Sequence, residues 1–350
     1  MSAFKNADNL PDEDELLEGE VTPKEVTPPA TKQSTPKLSK LESLSKYYSS
    51  GKTIRERAIP EQQKYCGDWY MEGTLGFIYA PPGIGKSWLS MHLTTCLADG
   101  KDFGPFECIG GLKVLYIDGE MGIANLKERI ELLKSDSVTY LCTQDIIEDT
   151  GKFINLADKK YQNMIIDECL EHKFDVLVID NLSCLFSGVC ENDADDWDLV
   201  LPWLLELRSM GVSVIIVHHT NKSGTSMRGT SRREDAAQWI IKLSRVSDDE
   251  ETEGATFMTS FDKNREAKKR PPDLRWEFIT KGTVMDVQWR EAKTRDLILE
   301  LLDEGNDLKI ADIAETLGIK RNAVSNQLKR LIRDKQVTKL SSGLYSKLTS

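Results

Sequence analysis

Apolar runs alternate with amphipathic stretches between about residues 58 and 290. The apolar runs are 74–80, 112–118, 138–142, 174–180 and 212–218, and the amphipathic stretches include 123–134, 159–171 and 194–209. Near-continuous apolar runs of this length predict buried strands, and the helical periodicity between them predicts helices. We therefore expect an α/β fold, with a mostly parallel sheet and helices on both faces. Two later β-rich runs, 255–262 and 274–289, would extend that sheet.

The pattern changes after about residue 291, where three short amphipathic stretches follow one another. They read TRDLILELLDEG, KIADIAETLGI and RNAVSNQLKRLIRDKQ, and the run VTKLSSGLYSKL follows them. Two helices, a turn at Gly318, a basic helix and a small hairpin are typical of a winged helix-turn-helix. The sequence thus predicts an α/β domain at 58–290 and a second domain at 291–350.

Residues 1–45 are rich in Pro, Thr, Ser, Glu and Lys and contain few large apolar side chains. This composition predicts a disordered tail, which begins with the acidic run Asp12-Glu13-Asp14-Glu15. The run would suit a protein partner or mimic DNA phosphates, but a solvated tail without a specific role is the favoured interpretation.

Composition narrows the class of protein. The chain has 350 residues, 39% of them hydrophobic, which is enough for about two domains. No apolar run is long enough to cross a membrane, and the N-terminus lacks the features of a signal peptide, so we expect a soluble cytoplasmic protein. Seven cysteines without a C-x-x-C pair favour reduced thiols over zinc ligands or disulfides. The net charge of −11 argues against nucleic-acid binding only if the basic residues are not clustered in one part of the chain.

One loop carries the clearest chemical signal. It comprises Ala80, Pro81, Pro82, Gly83, Ile84, Gly85, Lys86 and Ser87, with Trp88 directly after it. A strand precedes the loop and a helix follows it, which is the context of a phosphate-binding loop of an NTPase. Lys86 would reach the β- and γ-phosphates of ATP, and Ser87 would bind Mg²⁺. Ala80 replaces the usual first glycine, so we expect an ordinary negative φ there and unusual backbone angles at Gly83 and Gly85.

An NTPase also needs a carboxylate for Mg²⁺ and a base for the attacking water. Asp180 ends the apolar run FDVLVID and is the expected Mg²⁺ ligand, but Asn181 follows it where many ATPases have glutamate. Glu120, at the end of VLYIDGEM, is therefore the preferred catalytic base, and Asp118 competes with it. Capping of the following helix is the structural alternative for Glu120.

Polar residues also follow the run VSVIIV. His219 is preferred over His218 as the group that senses the γ-phosphate or the attacking water, and neighbouring strand residues point apart, so joint metal binding is disfavoured. The loop NKSGTSMRGTS then contains Lys222 and Arg228, which would contact nucleic-acid phosphates. A plain solvent-exposed loop is the alternative.

Lys263 and Arg265 lie two residues apart at the end of the run ATFMTSF, so their side chains are expected on the same side. Such a pair can stabilise transition-state charge on the nucleotide of a neighbouring subunit. The spacing fits an exposed basic strand end equally well.

The C-terminal domain is locally basic although the whole chain is acidic. Its candidate recognition helix presents Arg321, Asn322, Asn326, Lys329 and Arg330 on polar faces. These residue types can enter a major groove or bind phosphates, which makes DNA a candidate partner. A winged helix that docks onto protein is the alternative.

Taken together, APPGIGKS, IDGEM, LVIDNLS, VIIVHHTNKSG with RGTSRREDAAQWI, and FDKNR resemble the RecA-like superfamily. The resemblance covers about 58–290 and is strongest to the plasmid-type RepA hexameric replicative helicases, with DnaB-type helicases more distant. It implies that Lys86 and Ser87 bind phosphates and Mg²⁺, that Asp180 supports Mg²⁺, and that Glu120 is the base. It also implies a γ-phosphate sensor at His219, a finger acting between subunits at Lys263 and Arg265, and a DNA-facing channel loop at 221–229. Ala80, the acidic tail and the winged-helix segment depart from a minimal RepA-type helicase.

The resulting expectation is a DNA motor that assembles as a homo-oligomeric, hexameric ring and hydrolyses ATP between subunits during replication of a mobile element or phage. Two alternatives stay open. One is an ATP-regulated DNA-binding initiator or regulator without helicase activity, and the other is a RecA-like recombination ATPase that forms filaments on DNA.

Overall fold

The computed structural model describes residues 44–186, 197–220, 227, 231–246, 254–303, 306–317 and 319–348. The chain divides into two compact units, Met1–Ile59 and Pro60–Ser350. In the first unit, a short 3₁₀ helix at Leu44–Tyr47 precedes α1 at Gly51–Glu56, and neither contains a buried residue. The predicted disordered tail lies almost wholly outside the described residues.

The second unit begins with a nine-stranded sheet and its helices. The strands before the winged helix are β1 Lys64–Cys66, β2 Tyr70–Met71, β3 Leu75–Ala80, β4 Val114–Asp118, β5 Thr139–Cys142, β6 Val176–Asp180, β7 Ser213–His219, β8 Trp239–Arg245, β9 Gly254–Asn264, β10 Leu274–Lys281 and β11 Val284–Glu291. The helices are α2 Lys86–Asp99, α3 Ile123–Leu133, α4 Thr143–Thr150, α5 Lys159–His172, α6 Leu182–Leu185, α7 Leu201–Ser209 and α8 Ser231–Ala236. β1 and β2 form a separate two-stranded sheet, Cys66 of β1 also bridges to Cys108, and the remaining strands form the large sheet.

The strand order is β11-β10-β9-β8-β3-β7-β6-β4-β5. From β8 to β5 all neighbouring strands are parallel, whereas β9, β10 and β11 extend the sheet beyond β8 with antiparallel strands. Residues of β3, β4 and β6 are buried throughout, because the sheet is covered on both faces. The carboxyl ends of β3, β4, β6 and β7 therefore meet at one edge of the sheet.

Two apolar clusters lie on opposite faces of the sheet, since alternate strand residues point to opposite sides. Ile78 and Val178 join the cluster that holds Leu93 of α2, whereas Phe77 and Ile179 join the cluster that holds Leu204 of α7. The predicted α/β sheet with helices on both faces is thus confirmed.

The main differences from the sequence-based expectation concern short elements. β8 and α4 were not predicted, and the stretch 274–289 is two strands because Gly282 turns the chain with φ 61°. The helix predicted at 194–209 is described as α7 at Leu201–Ser209, with Pro202 in its first turn, while 194–196 lie outside the described residues.

A winged helix-turn-helix follows the sheet, as predicted. It consists of α9 Thr294–Asp303, α10 Ile310–Thr316, α11 Arg321–Arg333, and the hairpin β12 Val337–Lys339 with β13 Tyr345–Lys347. Its own core includes Ile298, Ile313, Val324, Leu328 and Tyr345. The predicted turn residue Gly318 lies outside the described residues. Among the described helices, none has the length and apolar character that a membrane span requires.

The winged helix contacts the sheet through polar pairs. Arg290 Nη1 of β11 donates to Asp296 Oδ2 of α9 over 2.8 Å, and the Ser244 hydroxyl of β8 donates to Glu300. Asp296 is buried, so its ion pair is shielded from solvent more than a surface pair would be. The nine-stranded sheet and the C-terminal domain are therefore joined directly at β8, β11 and α9.

Candidate functional site

The glycine-rich loop connects β3 to α2 at the edge where the carboxyl ends of the parallel strands meet. Ala80 is the last residue of β3 and pairs in register with His219, so it belongs to the sheet. Gly83 and Gly85 have φ of 77° and 123°, as expected from the sequence. A Cβ on Gly85 would lie 2.7 Å from the Phe257 ring, so this position requires glycine for space as well as for backbone angle.

The rest of the loop prepares an anion site. Pro81, Pro82 and Gly83 are at least partly exposed, whereas Ile84 is buried and anchors the loop to the core. Ser87 lies in the first turn of α2, where unpaired backbone N–H groups favour negative charge. Trp88 is half-buried beneath the Arg129 guanidinium, 4.7 Å from the ring centroid, so one face of its ring is already occupied.

Lys86 is buried at the start of α2, and three groups hold its ammonium. Nζ donates to the carbonyl oxygens of Ala80 and Pro81, each at 3.2 Å, and lies 3.2 Å from His219 Nδ1. Burial lowers the pKa of Lys86, while Asp180 and Glu120 act to raise it. The lysine is thus held over the loop, where it can bind phosphate oxygens.

Asp180 ends β6 in a fully buried position. Its Oδ2 accepts a hydrogen bond from the Tyr116 hydroxyl at 2.5 Å, and its Oδ1 is buried without a hydrogen-bond partner among the described residues. Burial raises the pKa of Asp180, and the hydroxyls of Tyr116 and Ser87 oppose that rise. An orphaned carboxylate oxygen beside a serine hydroxyl suits a hard divalent cation, so the residues present fit Mg²⁺.

The two competing carboxylates have different surroundings. Asp118 pairs in register with Asp180 and is fully buried, and its Oδ1 accepts from the backbone N–H of Met121 at 3.2 Å and of Glu120 at 3.4 Å. Burial raises the pKa of Asp118 to about 6. Glu120 is instead exposed beyond the strand end. Asp118 therefore shapes the turn, and Glu120 is the carboxylate that a water molecule can reach.

Glu120 does not cap the following helix. α3 begins after Gly122, and the backbone N–H of Ile123 at its start donates to Gln144 Oε1 at 2.8 Å. Instead, the Glu120 carboxylate accepts a hydrogen bond from Asn181 Nδ2. The alternative of a purely capping role for Glu120 is wrong, because its contact is with the end of β6.

Asn181 and Tyr116 are site residues that the sequence analysis did not identify. Asn181 follows Asp180 through a cis peptide bond and lies between Glu120 and His219. Its position after a buried strand was a usable signal, since strand ends meet at this edge. Tyr116 lies inside the apolar run of β4, and nothing in that run marks its contact with Asp180.

The two adjacent histidines separate as expected. His219 faces Lys86 and Asn181, whereas His218 is fully buried with Nε2 3.1 Å from Arg233 Nη1. Arg233 in turn lies over the Trp197 ring, 5.1 Å from its centroid. The two histidine side chains therefore lie in different environments on opposite faces of β7.

Lys263 and Arg265 lie far from the glycine-rich loop of their own chain. Asn264 pairs with Trp239, and Trp239 pairs with Gly76 near the beginning of β3, so the end of β9 lies at the opposite edge of the sheet. Lys263 donates to the backbone carbonyl of Glu234, and Arg265 Nη2 donates to that of Asp235 at 3.0 Å. Both side chains lie on the same side, as predicted, and neither can act on the nucleotide site of its own chain.

Some of the candidate nucleic-acid-binding residues lie within the described part of the chain and others lie outside it. Lys222 and Arg228 lie outside the described residues. The exposed side of α11 carries Arg321, Asn322, Asn326, Lys329 and Arg330. Val324, Leu328 and Leu331 on its other side are buried, so the polar face is free to meet a partner.

Comparisons with known proteins give two family matches. Residues 49–225, just over half of the chain, match the AAA domain family, and residues 292–334 match the bacterial regulatory proteins of the arsR family. The DNA repair protein RadA of Campylobacter jejuni is 27% identical over 167 residues, covering 45% of this chain and 31% of RadA. The chain thus matches about a third of the length of that relative.

A solved structure, the flagellar accessory protein FlaH from Methanocaldococcus jannaschii, aligns with 62% of this chain and 90% of its own at 15% identity and a TM-score of 0.43. The matched residues 49–225 include the glycine-rich loop, β4 and β6. On that match the chain belongs to the AAA domain family, and it combines the glycine-rich loop and the mostly parallel sheet with a C-terminal winged helix.

Proposed function

We propose that this protein hydrolyses ATP with Mg²⁺ and uses the energy to translocate on single-stranded DNA as a RepA-like motor. The observation that carries the ATPase proposal is the convergence of Lys86, Asp180, Glu120 and His219 at one edge of the sheet. Lys86 and the loop bind phosphate oxygens, and Ser87 and Asp180 hold the cation. Held by these two residues, Mg²⁺ would supply neutralisation of the charge on the phosphates. Glu120 orients the attacking water and accepts its proton.

The motor proposal rests on Lys263 and Arg265. Their position at the far edge of the sheet leaves them able to serve only a neighbouring subunit's nucleotide, which favours a homo-oligomer with sites at subunit interfaces. A head-to-tail interface gives a ring when its rotation closes and a filament when it does not, and a hexameric ring is the form we propose. Lys222 and Arg228 would then contact single-stranded DNA in the channel.

The function is tested with full-length protein on a forked DNA substrate. We expect Mg²⁺-dependent ATP hydrolysis that single-stranded DNA stimulates, together with strand separation, and we expect Lys86→Ala to lose both. Lys86→Ala removes the ammonium held over the loop, so phosphate binding fails although the apolar face of α2 is unchanged. ATP hydrolysis without strand separation or translocation would contradict the motor and leave the ATPase intact.

A second candidate is an ATP-regulated DNA-binding regulator, and the match of residues 292–334 to the arsR family specifically favours it. In this case the winged helix would recognise duplex DNA, and ATP would control assembly. The RecA-like recombination alternative draws on the similarity to a DNA repair protein. Electron micrographs with ATP and DNA separate rings from filaments.

The winged helix can be tested independently of ATP. We expect the double change Lys329→Ala with Arg330→Ala to weaken binding to duplex DNA. The slope of log K against the logarithm of the salt concentration should become shallower by about two, one for each lost phosphate contact. Both side chains are exposed on α11, so the fold of the domain should persist. Fluorescence anisotropy over a range of salt concentrations gives the slope.

The matched control is Lys159→Ala with Lys160→Ala on α5, which removes the same charge from the surface of the ATPase sheet. We expect this control to leave the slope unchanged. An equal loss in both double variants would show that overall charge governs binding, and an unchanged slope in the α11 variant would favour a winged helix that docks onto protein.

A further inference from the structure

The side chain of Asn181 is fixed by both its burial and its hydrogen bonds. It is only 1% exposed, and it is the N-cap residue of α6. Its Oδ1 accepts from the backbone N–H of Cys184 at 3.1 Å, as is usual for asparagine at a helix start. With the oxygen held by the helix, the amide nitrogen must point away from it, toward the ends of β4 and β7.

The amide nitrogen of Asn181 meets two groups of the candidate ATPase site. Nδ2 donates to Glu120 Oε2 and lies 3.3 Å from His219 Nε2. A carboxylate can only accept, so the nitrogen, and not the oxygen, must face Glu120. The capping bond and the carboxylate thus require the same orientation of the amide, and its two hydrogens can serve Glu120 and His219 separately.

This orientation constrains the His219 ring. A neutral imidazole has one N–H and one acceptor nitrogen. If Nε2 accepts from Asn181, the hydrogen is on Nδ1, the atom that lies 3.2 Å from Lys86 Nζ. Two donors then face each other across the glycine-rich loop, and a phosphate oxygen is an acceptor that both can share. If Nδ1 instead accepts from Lys86, the amide of Asn181 loses its acceptor at Nε2.

We propose that Asn181 is a positioning residue of the ATPase site: it holds the Glu120 carboxylate and, when Lys86 binds phosphate, it fixes His219 as the Nδ1–H tautomer. This inference rests on the proposed ATP hydrolysis. The amide connects the candidate base to the candidate γ-phosphate sensor through one rigid, buried side chain. Glu120 and His219 are thereby placed relative to each other, although they belong to different strands.

The chemistry of asparagine explains why other residues would not serve. Aspartate would still cap α6, but it would bring a second carboxylate against Glu120 and would have no hydrogen to donate to His219 Nε2. Serine would also cap α6, but its side chain is too short to reach both partners. These two substitutions therefore keep the helix cap and remove the positioning contacts, in different ways.

The kinetic test compares Asn181→Ser and Asn181→Asp with the unmodified full-length protein. We expect kcat for ATP hydrolysis to fall about 100-fold in each, which is within the range for loss of a well-placed base. The KM for ATP should change by less than about threefold, because Lys86 and the loop are unaffected. Thermal unfolding should show that both variants remain folded.

A second measurement reports the tautomer and does not depend on activity. The chain has four histidines, so ¹⁵N-histidine labelling with a His219→Gln variant for assignment gives a readable spectrum. With Mg²⁺ and a slowly hydrolysed ATP analogue, we expect the Nδ1–H tautomer in the unmodified protein. In Asn181→Asp the carboxylate accepts from Nε2, so we expect the Nε2–H tautomer.

Two results would overturn the positioning role: folded Asn181→Ser with kcat close to that of the unmodified protein, or an Nε2–H tautomer in the unmodified protein with the analogue bound. Asn181 would then be only a helix cap. Failure of the proposed function has a different signature, because the unmodified protein would itself show no ATP hydrolysis.

Discussion

Glu120→Gln is expected to lower kcat for ATP hydrolysis about 1000-fold while ATP binding stays within about threefold. Glutamine keeps the length of the side chain and an oxygen that can accept from Asn181, but it cannot take a proton from water. Because Glu120 is exposed beyond β4, the change should not disturb the core. Phosphate release in steady state and calorimetric titration with ATP measure the two quantities.

Asp118→Asn provides the matched control, since it changes the competing carboxylate by the same one-atom substitution. Among the described residues, the donors to its Oδ1 are the backbone N–H groups of Glu120 and Met121, and an asparagine oxygen can accept from both. We expect kcat to stay within about fivefold of the unmodified protein. A loss in Asp118→Asn as large as that in Glu120→Gln would identify Asp118 as the base instead.

The sequence was sufficient to predict which strand ends form the site. Apolar runs end at Ala80, Asp118 and Asp180 and just before His219, which implies parallel strands, and parallel strands bring their carboxyl ends to one edge. That rule alone places the loop, the Asp180 carboxylate and His219 together. The rule says nothing about side-chain direction, which is why the contacts of Asn181 had to come from the structure.

Other features depend on contacts between distant parts of the chain. Strand β8 was missed although WIIKLSR is partly apolar, because its place in the sheet is defined by packing against β3. A Cβ on Gly76 would lie 2.0 Å from the Trp239 ring, so this glycine provides the space that lets β8 lie beside β3. The sequence pattern within either segment does not indicate that the two strands pair.

The direction of β9 matters most for function. Sequence spacing placed Lys263 and Arg265 on the same side, but it could not give the edge of the sheet at which they lie. The antiparallel pairing of β9 with β8 puts them at the edge opposite the glycine-rich loop. An action on the nucleotide is then possible only between subunits, and that makes the proposal testable by mixing variants.

Arg265→Ala alone and Lys86→Ala alone are each expected to lower kcat at least about 1000-fold, which is the lower end of the range for loss of an arginine finger. When the two variants are mixed in equal amounts before assembly, activity should return to about a quarter of the unmodified level. Random assembly pairs an intact loop with an intact finger at about one interface in four of a head-to-tail ring. Steady-state phosphate release from mixed and unmixed samples measures the recovery.

The nearby exposed lysine gives the control for this experiment. Lys268→Ala removes a positive charge from the same segment, three residues beyond Arg265, and we expect kcat close to that of the unmodified protein. The Arg265 side chain donates to a backbone carbonyl at 3.0 Å. Removing this side chain leaves no buried charge unpaired, so the fold should persist. Mixed assemblies without recovered activity, or Arg265→Ala with nearly full activity alone, would contradict a finger that acts between subunits. Recovery would instead establish that each ATPase site is completed by its neighbour.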